Sequence, residues 1–378
     1  LNYITIVLFN VEFLINCDWE QRELKEILKV NSGRDYKHLG SGSIPVYGTG
    51  GYMLSVNDKL SDKDAIGIGR KGTIDKPQYL KAPFWTVDTL FFMIPLNNFD
   101  LQFLYTMTQK INWKKMDEST GVPSLSKAVI EKVNQNIPSY QEQIKIGGFF
   151  KQLDNTIALH QQKQRQIRSL KQGFIKNLFP NNKNSAPRIR FSIFNDDWNQ
   201  RNASEIFTSV SDKNYPELPV LSASQEKGMV LRESNGIDIK YDQKSTGTYK
   251  RVLPGQFVMH LRSFQGGFAY STIEGITSPA YTILAFRNKE DHYPLFWKSI
   301  FSSKNFIKRL EAITYGIRDG RSISYADFST LRFWIPSYEE QKQIGDFIES
   351  IDATIAFYQR QIDMMQSLKK ELLNKMFI

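Results

Sequence analysis

The six residues Gly67-Ile68-Gly69-Arg70-Lys71-Gly72 satisfy the Gly-x-Gly-x-x-Gly spacing with which a strand-to-helix turn cradles a dinucleotide pyrophosphate. That chemistry needs a helix to start at the end of the pattern, because the helix N-terminus supplies the N–H donors. Here Thr73-Ile74-Asp75-Lys76-Pro77 follows, and Pro77 stops a helix before it begins. The segment therefore predicts a strand and tight turn with Arg70 and Lys71 projecting outward, a basic turn suited to phosphates or base edges. Other catalytic patterns are missing from the sequence. No Gly-x4-Gly-Lys-Ser/Thr string wraps a nucleotide phosphate, no two prolines are adjacent as an Asp/Asn-Pro-Pro-aromatic methyltransferase loop requires, and no Pro-Asp pair marks a restriction-type nuclease. His38, His160, His260 and His292 are dispersed without the i,i+4 spacing of a zinc helix and are expected to be ordinary surface, seam or polar-contact histidines.

Basic and aromatic residues meet again at other Gly-rich turns. Tyr47 and Tyr52 flank Gly48, Gly50 and Gly51; Trp113, Lys114 and Lys115 precede Ser119-Thr120-Gly121; Arg318 and Arg321 frame Asp319-Gly320. Arg and Lys in such turns can reach guanine edges or phosphates. The whole chain fits that direction: 378 residues carry 49 Lys+Arg against 39 Asp+Glu, a net charge of +10 that favours a polyanionic partner. Hydrophobic content of 41 % and charged content of 23 % describe a globular chain long enough for two or three domains. Cys17 is alone, which excludes an internal disulfide and a Cys-rich zinc site. The longest apolar stretch, residues 4–15, is interrupted by Asn10 and Glu12, is shorter than a membrane span and has no basic leader, so neither a span nor a secretory signal is expected.

An internal repeat sets the frame that must position these turns. Residues 137–180 align without a gap to residues 335–378, with 18 of 44 positions identical at an offset of 198. At an offset of 179, Asp18-Trp19-Glu20-Gln21-Arg22 echoes Asp197-Trp198-Asn199-Gln200-Arg201. The chain is two copies of one module whose ends repeat and whose interiors differ. The repeated tail is helical by its 4,3 spacing: Ile146, Phe150, Leu153, Ile157, His160, Gln164 and Ile167 in the first copy, with a weak position at Lys171. The second copy reads Ile344, Ile348, Ile351, Ile355, Tyr358, Ile362 and Met365. A seam held for more than four heptads predicts a coiled-coil pair, about 60 Å long at 1.5 Å per residue. Two amphipathic helices packed separately on their own domains are the alternative. Ser139 and Ser337 are the predicted N-caps, with Glu142 and Glu340 in the first turn where a carboxylate favours the helix dipole. His160 and Gln164 are expected to weaken the seam unless the bulk of Tyr358 and Ile362 compensates.

Between the tails the pattern is α+β. Residues 65–68, 89–94, 256–260 and 281–286 read as strands, residues 101–111 and 293–310 as helices, and residues 181–187 as a polar linker. Positive charge is uneven: residues 137–196 carry +7 and residues 335–378 carry −2, so most of the surplus lies on the first tail and its linker, including Lys163, Arg165, Arg168, Lys171 and Lys176.

The Asp-Trp-x-Gln-Arg start, the Ile-Pro-x-x-x-Glu-Gln-x-x-Ile-Gly motif at residues 137–147 and again at 335–345, and the duplication itself resemble the specificity subunit of a type I restriction-modification system. The resemblance runs from Asp18 almost to the end. It extends to the interior, where Ile44-Pro45-Val46-Tyr47-Gly48, Ile68-Gly69-Arg70-Lys71-Gly72, Pro83-Phe84-Trp85 and Asp88-Thr89-Leu90 are similar to that family's target-recognition domains. It implies an α+β architecture: two α/β target-recognition domains, residues 1–136 and 197–334, joined through a linker at 181–196 by two long helices, 137–180 and 335–378, packed as an antiparallel coiled coil with a pseudo-two-fold repeat. Each domain would read one half of a split, asymmetric site in double-stranded DNA, and the helices would fix the spacer. The resemblance further implies a cytoplasmic, non-catalytic chain that binds two methyltransferase subunits and, in the full complex, restriction/translocase subunits. S-adenosylmethionine, ATP and Mg2+ would belong to those partners. The DNA-contact candidates are Tyr47, Tyr52, Arg70, Lys71, Lys114, Lys115, Arg318, Arg321, Lys163, Arg165 and Arg168. The second copy enters its domain through Arg188-Ile189-Arg190-Phe191, whereas residues 1–17 are apolar and lack those arginines. Two other readings fit part of the pattern: the specificity subunit of a type IIB-like restriction-methylation enzyme, and a coiled-coil scaffold with two globular heads that does not bind DNA.

Overall fold

Apolar residues at 4,3 spacing need a partner along the whole stripe, and both repeated tails fold as 39-residue helices, Tyr140–Leu178 and Tyr338–Met376. The computed structural model describes residues 19–180, 185–224, 227–235, 243–313 and 323–377. The chain divides into two compact units, Leu1–Gln162 with Arg360–Ile378, and Lys163–Gln359. Each unit thus contains parts of both long helices. Among the described residues no helix is long and apolar enough to cross a membrane.

In the first unit, β1 (Glu20–Glu23) leads through a one-turn helix into β2 (Leu28–Ser32). A hairpin of β3 (Ser41–Gly48) and β4 (Gly51–Val56) follows, then β5 (Ala65–Gly69), β6 (Gln78–Leu80), β7 (Trp85–Thr86) and β8 (Leu90–Pro95). The main sheet is antiparallel in the order β2-β8-β5-β6, and β3 lies between β4 and a parallel β7. All five residues of β5 are buried, which is why its sequence, Ala-Ile-Gly-Ile-Gly, shows no polar alternation. Helix α1 (Leu101–Thr108) starts at an Asp100 cap that accepts from Phe103 N at 2.7 Å. It ends at Thr108 rather than at the expected residue 111, because the Thr108 carbonyl accepts from Trp113 Nε1 at 2.9 Å and the chain turns there. β9 (Asn134–Ile137) closes the module by pairing antiparallel with β1, Ile137 opposite Glu20. Three residues later the first long helix begins.

The second unit repeats this frame. Its opening strand, Asn199–Asn202, pairs with its closing strand, Arg332–Ile335, Asn199 opposite Ile335. Its main sheet is antiparallel in the order Phe207–Val210, Thr282–Phe286, Phe257–Met259, Ala269–Tyr270. The strand order matches that of the first unit although the sequences do not. The stretch 293–310, expected as one helix, is two: α2 (Pro294–Phe301) and α3 (Lys304–Ala312). Ser303 causes the break by accepting from Phe306 N at 3.1 Å and so starting a new helix. Phe207, Phe257, Phe296, Trp297, Phe301 and Phe328 are fully buried around this corner and pack mostly edge-to-face or tilted. His292 is also buried, stacked on Phe286 at 5.4 Å, and His260, half-buried, is a polar-contact histidine that accepts from Arg262 N through Nδ1 at 3.2 Å. Burial pushes both imidazoles down to about 4.

The repeated Glu-Gln-x-x-Ile-Gly motif is what seats each domain on its helix. In the first unit Gln143 is buried, accepts from Asp100 N at 3.0 Å and donates to the Pro138 carbonyl at 2.9 Å. In the second, Gln341 accepts from Tyr293 N at 3.0 Å and donates to the Asp291 and Pro336 carbonyls. Both contacts fix the first residue before α1 or α2 to the long helix. Gly147 and Gly345 then let those helix starts approach: a Cβ on Gly147 would lie 2.6 Å from Phe103 N, and one on Gly345 2.7 Å from Phe296 N.

Within each unit the two long helices run antiparallel. In the first, Ile157 packs with Ile362 and Met365, with Leu153 beside them, and Lys369 bonds both carboxylate oxygens of Asp154 at 2.7 and 2.8 Å. Ile146 and Phe150 join the domain core with Leu372 and Phe377. In the second, Ile344 and Ile348 are buried with Ile351 against them, Ile355 is buried, and Phe174 meets Phe347 edge-on at 5.0 Å. Two of the three polar seam positions, Gln164 and Lys171, find partners on the facing helix. Gln164 donates to the Ile355 carbonyl at 3.3 Å and to Gln359 Oε1 at 2.9 Å, and Lys171 bonds Asp352 at 2.5 and 2.6 Å. Buried polar groups with partners give a helix pair register rather than a large gain in stability.

Two predictions follow the geometry. Gly147→Ala should destabilise the protein by about 1–3 kcal/mol through overpacking against backbone, whereas Gly148→Ala, with nothing within 4 Å of its Cβ, should stabilise by about 0.5–1 kcal/mol. Denaturant midpoints measure both, and equal effects at the two positions would contradict the close approach. The buried neutral histidines give a pH dependence. Their folded pKa lies below the unfolded value, so acidification from about 6.5 to about 4 favours the unfolded state. His292→Phe should flatten that part of the stability–pH curve, and an unchanged slope would count against a neutral, buried His292.

Candidate nucleic-acid interface

In the first unit three loops from different parts of the chain meet. β5 ends at Gly69, where a Cβ would lie 2.1 Å from the Thr73 carbonyl oxygen, so only glycine permits the tight turn that follows. Gly72, at φ +88°, completes it in the left-handed region. Arg70 and Lys71 are exposed on this turn, as its sequence implied. No helix begins here, and the dinucleotide reading is excluded by that geometry.

The second loop, residues 117–124, is held against the turn by backbone bonds. Gly72 N donates to the Pro123 carbonyl at 2.8 Å and Leu125 N to the Arg70 carbonyl at 2.9 Å. Asp117 organises the loop from within: its Oδ1 accepts from Ser119 N, Ser119 Oγ and Ser124 N at 3.0, 2.7 and 2.9 Å. These donors, Ser124 N first, hold its carboxyl below the usual carboxylate range. Ser32, Arg70, Lys71, Phe91, Ser124 and Lys127 line the cleft between loop and turn, and the Arg70 guanidinium lies 5.9 Å from the Phe91 ring.

The third is the β3–β4 hairpin. Tyr47 and Tyr52 are opposite each other in its register, Tyr47 half-buried and Tyr52 64 % exposed. Gln78 donates to the Gly48 and Thr49 carbonyls at 2.9 and 3.1 Å and fixes the tip, and Thr49 Oγ1 lies within van der Waals reach of a Cβ built on Gly72. The structure thus gathers an exposed tyrosine, two exposed cations and a Ser-Thr-Gly turn tied to Asp117 at Ser119 in the first unit. Such a set offers stacking, charge and hydrogen bonding.

The remaining candidates are distributed differently. Trp113 is buried with its Nε1 bonded, and serves the core. Lys114 pairs with Asp75 at 2.8 Å, an exposed pair that holds the side chain weakly, and Lys115 is exposed. Lys163, Arg165 and Arg168 are exposed on the first long helix in the second unit and carry no ion pair among the described residues. Arg318 and Arg321 lie outside the described residues. Asp117 escaped sequence reasoning, its Asp-x-Ser spacing being the available signal; Gln143 and Gln341 were visible as part of the repeated motif, but not their role in seating the domains. Among the described residues no three His, Cys, Asp or Glu side chains converge as metal ligands.

Asp117→Ala should release the loop while leaving the sheet intact. Hydrogen exchange at the Ser119 and Ser124 amides would then rise at least tenfold with little change in β5 and β8; unchanged exchange would show that the carboxylate does not hold the loop.

Known proteins resemble this chain in sequence and in fold. Residues 16–169 match the model of the type I restriction modification DNA specificity domain. The chain is 22 % identical over 298 residues to the type I restriction enzyme MjaVIII specificity subunit of Methanocaldococcus jannaschii, covering 73 % of this chain and 68 % of that one. Its fold is similar to that of the type I restriction-modification S subunit from M. genitalium, with a TM-score of 0.66 at 14 % identity over 96 % of this chain and 97 % of that one. It is also similar, at TM-score 0.50 and 14 % identity over 95 % and 97 % of the two chains, to a chain from a structural study of assembly and conformational transition in the type I R-M system. The match to that specificity domain thus covers the first module, and the same sheet and helix frame is repeated in the second.

Proposed function

We propose that this chain is the DNA-recognition subunit of a type I restriction-modification complex, each domain reading one half of a bipartite site in double-stranded DNA. The observation that carries this reading is the convergence of the Arg70–Lys71 turn, the Asp117-organised loop and the Tyr47/Tyr52 hairpin on a module that occurs twice. Arg70 and Lys71 supply base-edge or phosphate contacts, Tyr52 supplies an aromatic face, and the loop backbone is rigid enough to hold them in register. Lys163, Arg165 and Arg168 add charge beside the spacer DNA or an acidic partner surface. The helices set the separation of the half-sites.

Chemistry is assigned to partners: two methyltransferase subunits carrying S-adenosylmethionine, and restriction/translocase subunits using ATP and Mg2+. Leu159 and Leu170 on the first long helix, and Phe357 and Met364 on the second, are 42–59 % exposed, apolar side chains that suit the docking of partner helices. The complex works where the host DNA lies, in the cytoplasm.

Binding to a duplex library should weaken steeply with salt. Lys71→Ala should lower the slope of log K against log salt by about one, with similar losses on all sequences, whereas Arg70→Ala should cost about 1–3 kcal/mol and relax one base position. Binding indifferent to salt would favour a scaffold that does not touch DNA. Methyl transfer by the purified chain, free of any methyltransferase, would refute the division of labour.

A further inference from the structure

At the head of the second long helix, Glu340 is fully buried and takes a two-pronged arginine contact. Arg190 Nε donates to Oε1 and Nη2 to Oε2, each at 2.7 Å, and Nη2 also donates to the Asp196 carbonyl at 2.6 Å. The next residue, Phe191, packs edge-on against Phe347 at 5.9 Å. A short Arg-Phe segment is thereby clipped to the helix by a charge pair and a ring contact.

The repeat places Glu142 and Phe149 at the same two positions of the first long helix. The surroundings repeat as well: Ser139 caps the helix as Ser337 does, and Gln143 and Gly147 stand where Gln341 and Gly345 stand. Glu142 is 6 % exposed. Its Oε1 accepts one long hydrogen bond, 3.4 Å from Trp19 Nε1, and its Oε2 is shut off from water with no hydrogen-bond partner among the described residues. A carboxylate oxygen withdrawn from water without a donor is unfavourable, and a guanidinium fork is the group whose geometry satisfies both oxygens at once. Residues 1–17, the lead-in to this copy, contain neither Lys nor Arg.

We propose that Glu142 and Phe149 form a binding site for an arginine–aromatic pair on a segment of another polypeptide, engaged as Arg190 and Phe191 engage Glu340 and Phe347. The occupant is an extended segment in which arginine immediately precedes an aromatic residue. Lysine is a weaker substitute, because it lacks the planar fork that meets two carboxylate oxygens with two parallel N–H groups and still donates to a backbone carbonyl, as Arg190 does to Asp196. The site lies at the start of the helix that carries the first domain, so its occupant would brace the joint that Gln143 and Gly147 make.

The test uses the full chain and a fluorescein-labelled peptide with the sequence of residues 186–197, followed by anisotropy. The expected result is saturable binding of one peptide per chain, weakened at least tenfold by Glu142→Gln in the protein or by lysine in place of the peptide's second arginine. Thermal midpoints give an independent reading without peptide. Glu142→Gln breaks no ion pair and should leave the midpoint close to unchanged, whereas Glu340→Gln breaks an existing fork and should lower it. Absence of saturable binding, binding that survives Glu142→Gln, or equal losses of midpoint in the two glutamine variants would overturn the assignment.

Discussion

Two buried glutamines, one at the head of each long helix, hold the molecule's working parts in place. Gln143 and Gln341 each accept from the backbone N–H just before a domain helix and donate to the carbonyl of the proline that ends the closing strand. One side chain therefore joins three elements: the strand that closes the module, the helix that supports its sheet, and the long helix that leaves it. The contact is short because Gly147 and Gly345 remove the Cβ that would otherwise hold the helices apart. An amide suits this position better than a carboxylate or an ammonium, because it offers an acceptor and donors at once without a charge to desolvate.

The rest of the module can vary once that joint is fixed. Both units build a four-stranded antiparallel sheet in the same strand order, yet their cores differ: the first is mixed aliphatic and aromatic, while the second is dominated by phenylalanines and Trp297. A core tolerates such exchange when volume and pattern are kept. Loops at the sheet edge are freer still, and in the first unit they carry Arg70, Lys71, Tyr52 and the Asp117-organised turn. A rigid, repeated frame with variable loops is the arrangement expected of a reader whose geometry is constant and whose specificity is not.

The helices and the duplication were legible in the sequence because each leaves a periodic signal: the 4,3 spacing, and an identity that recurs at an offset of 198. The strands at 65–69 and 90–95 were legible from short apolar runs between turn residues. The shared sheet order was not legible, because strand pairing depends on residues far apart whose identities differ between the copies. Nor was the Ser303 break, where a helix pattern continued through a serine that caps instead. Glu142 and Glu340 read as carboxylates favouring a helix dipole; their burial, and the arginine fork on one of them, come from tertiary contacts that local spacing does not encode. At the candidate interface, the Arg70–Lys71 turn was found from its glycines, while Asp117 was missed because its partners are mostly backbone amides. Trp113 looked like part of a basic cluster and is core.

The central claim is that two copies of one module each read part of the DNA target at a fixed separation. Single-molecule sequencing of methylated adenines in a host carrying this gene with its methyltransferase tests it most directly. The account predicts a split motif, two short specified sequences separated by a constant run of unspecified bases. A contiguous methylated motif, or one in which the gap varies from site to site, would contradict it.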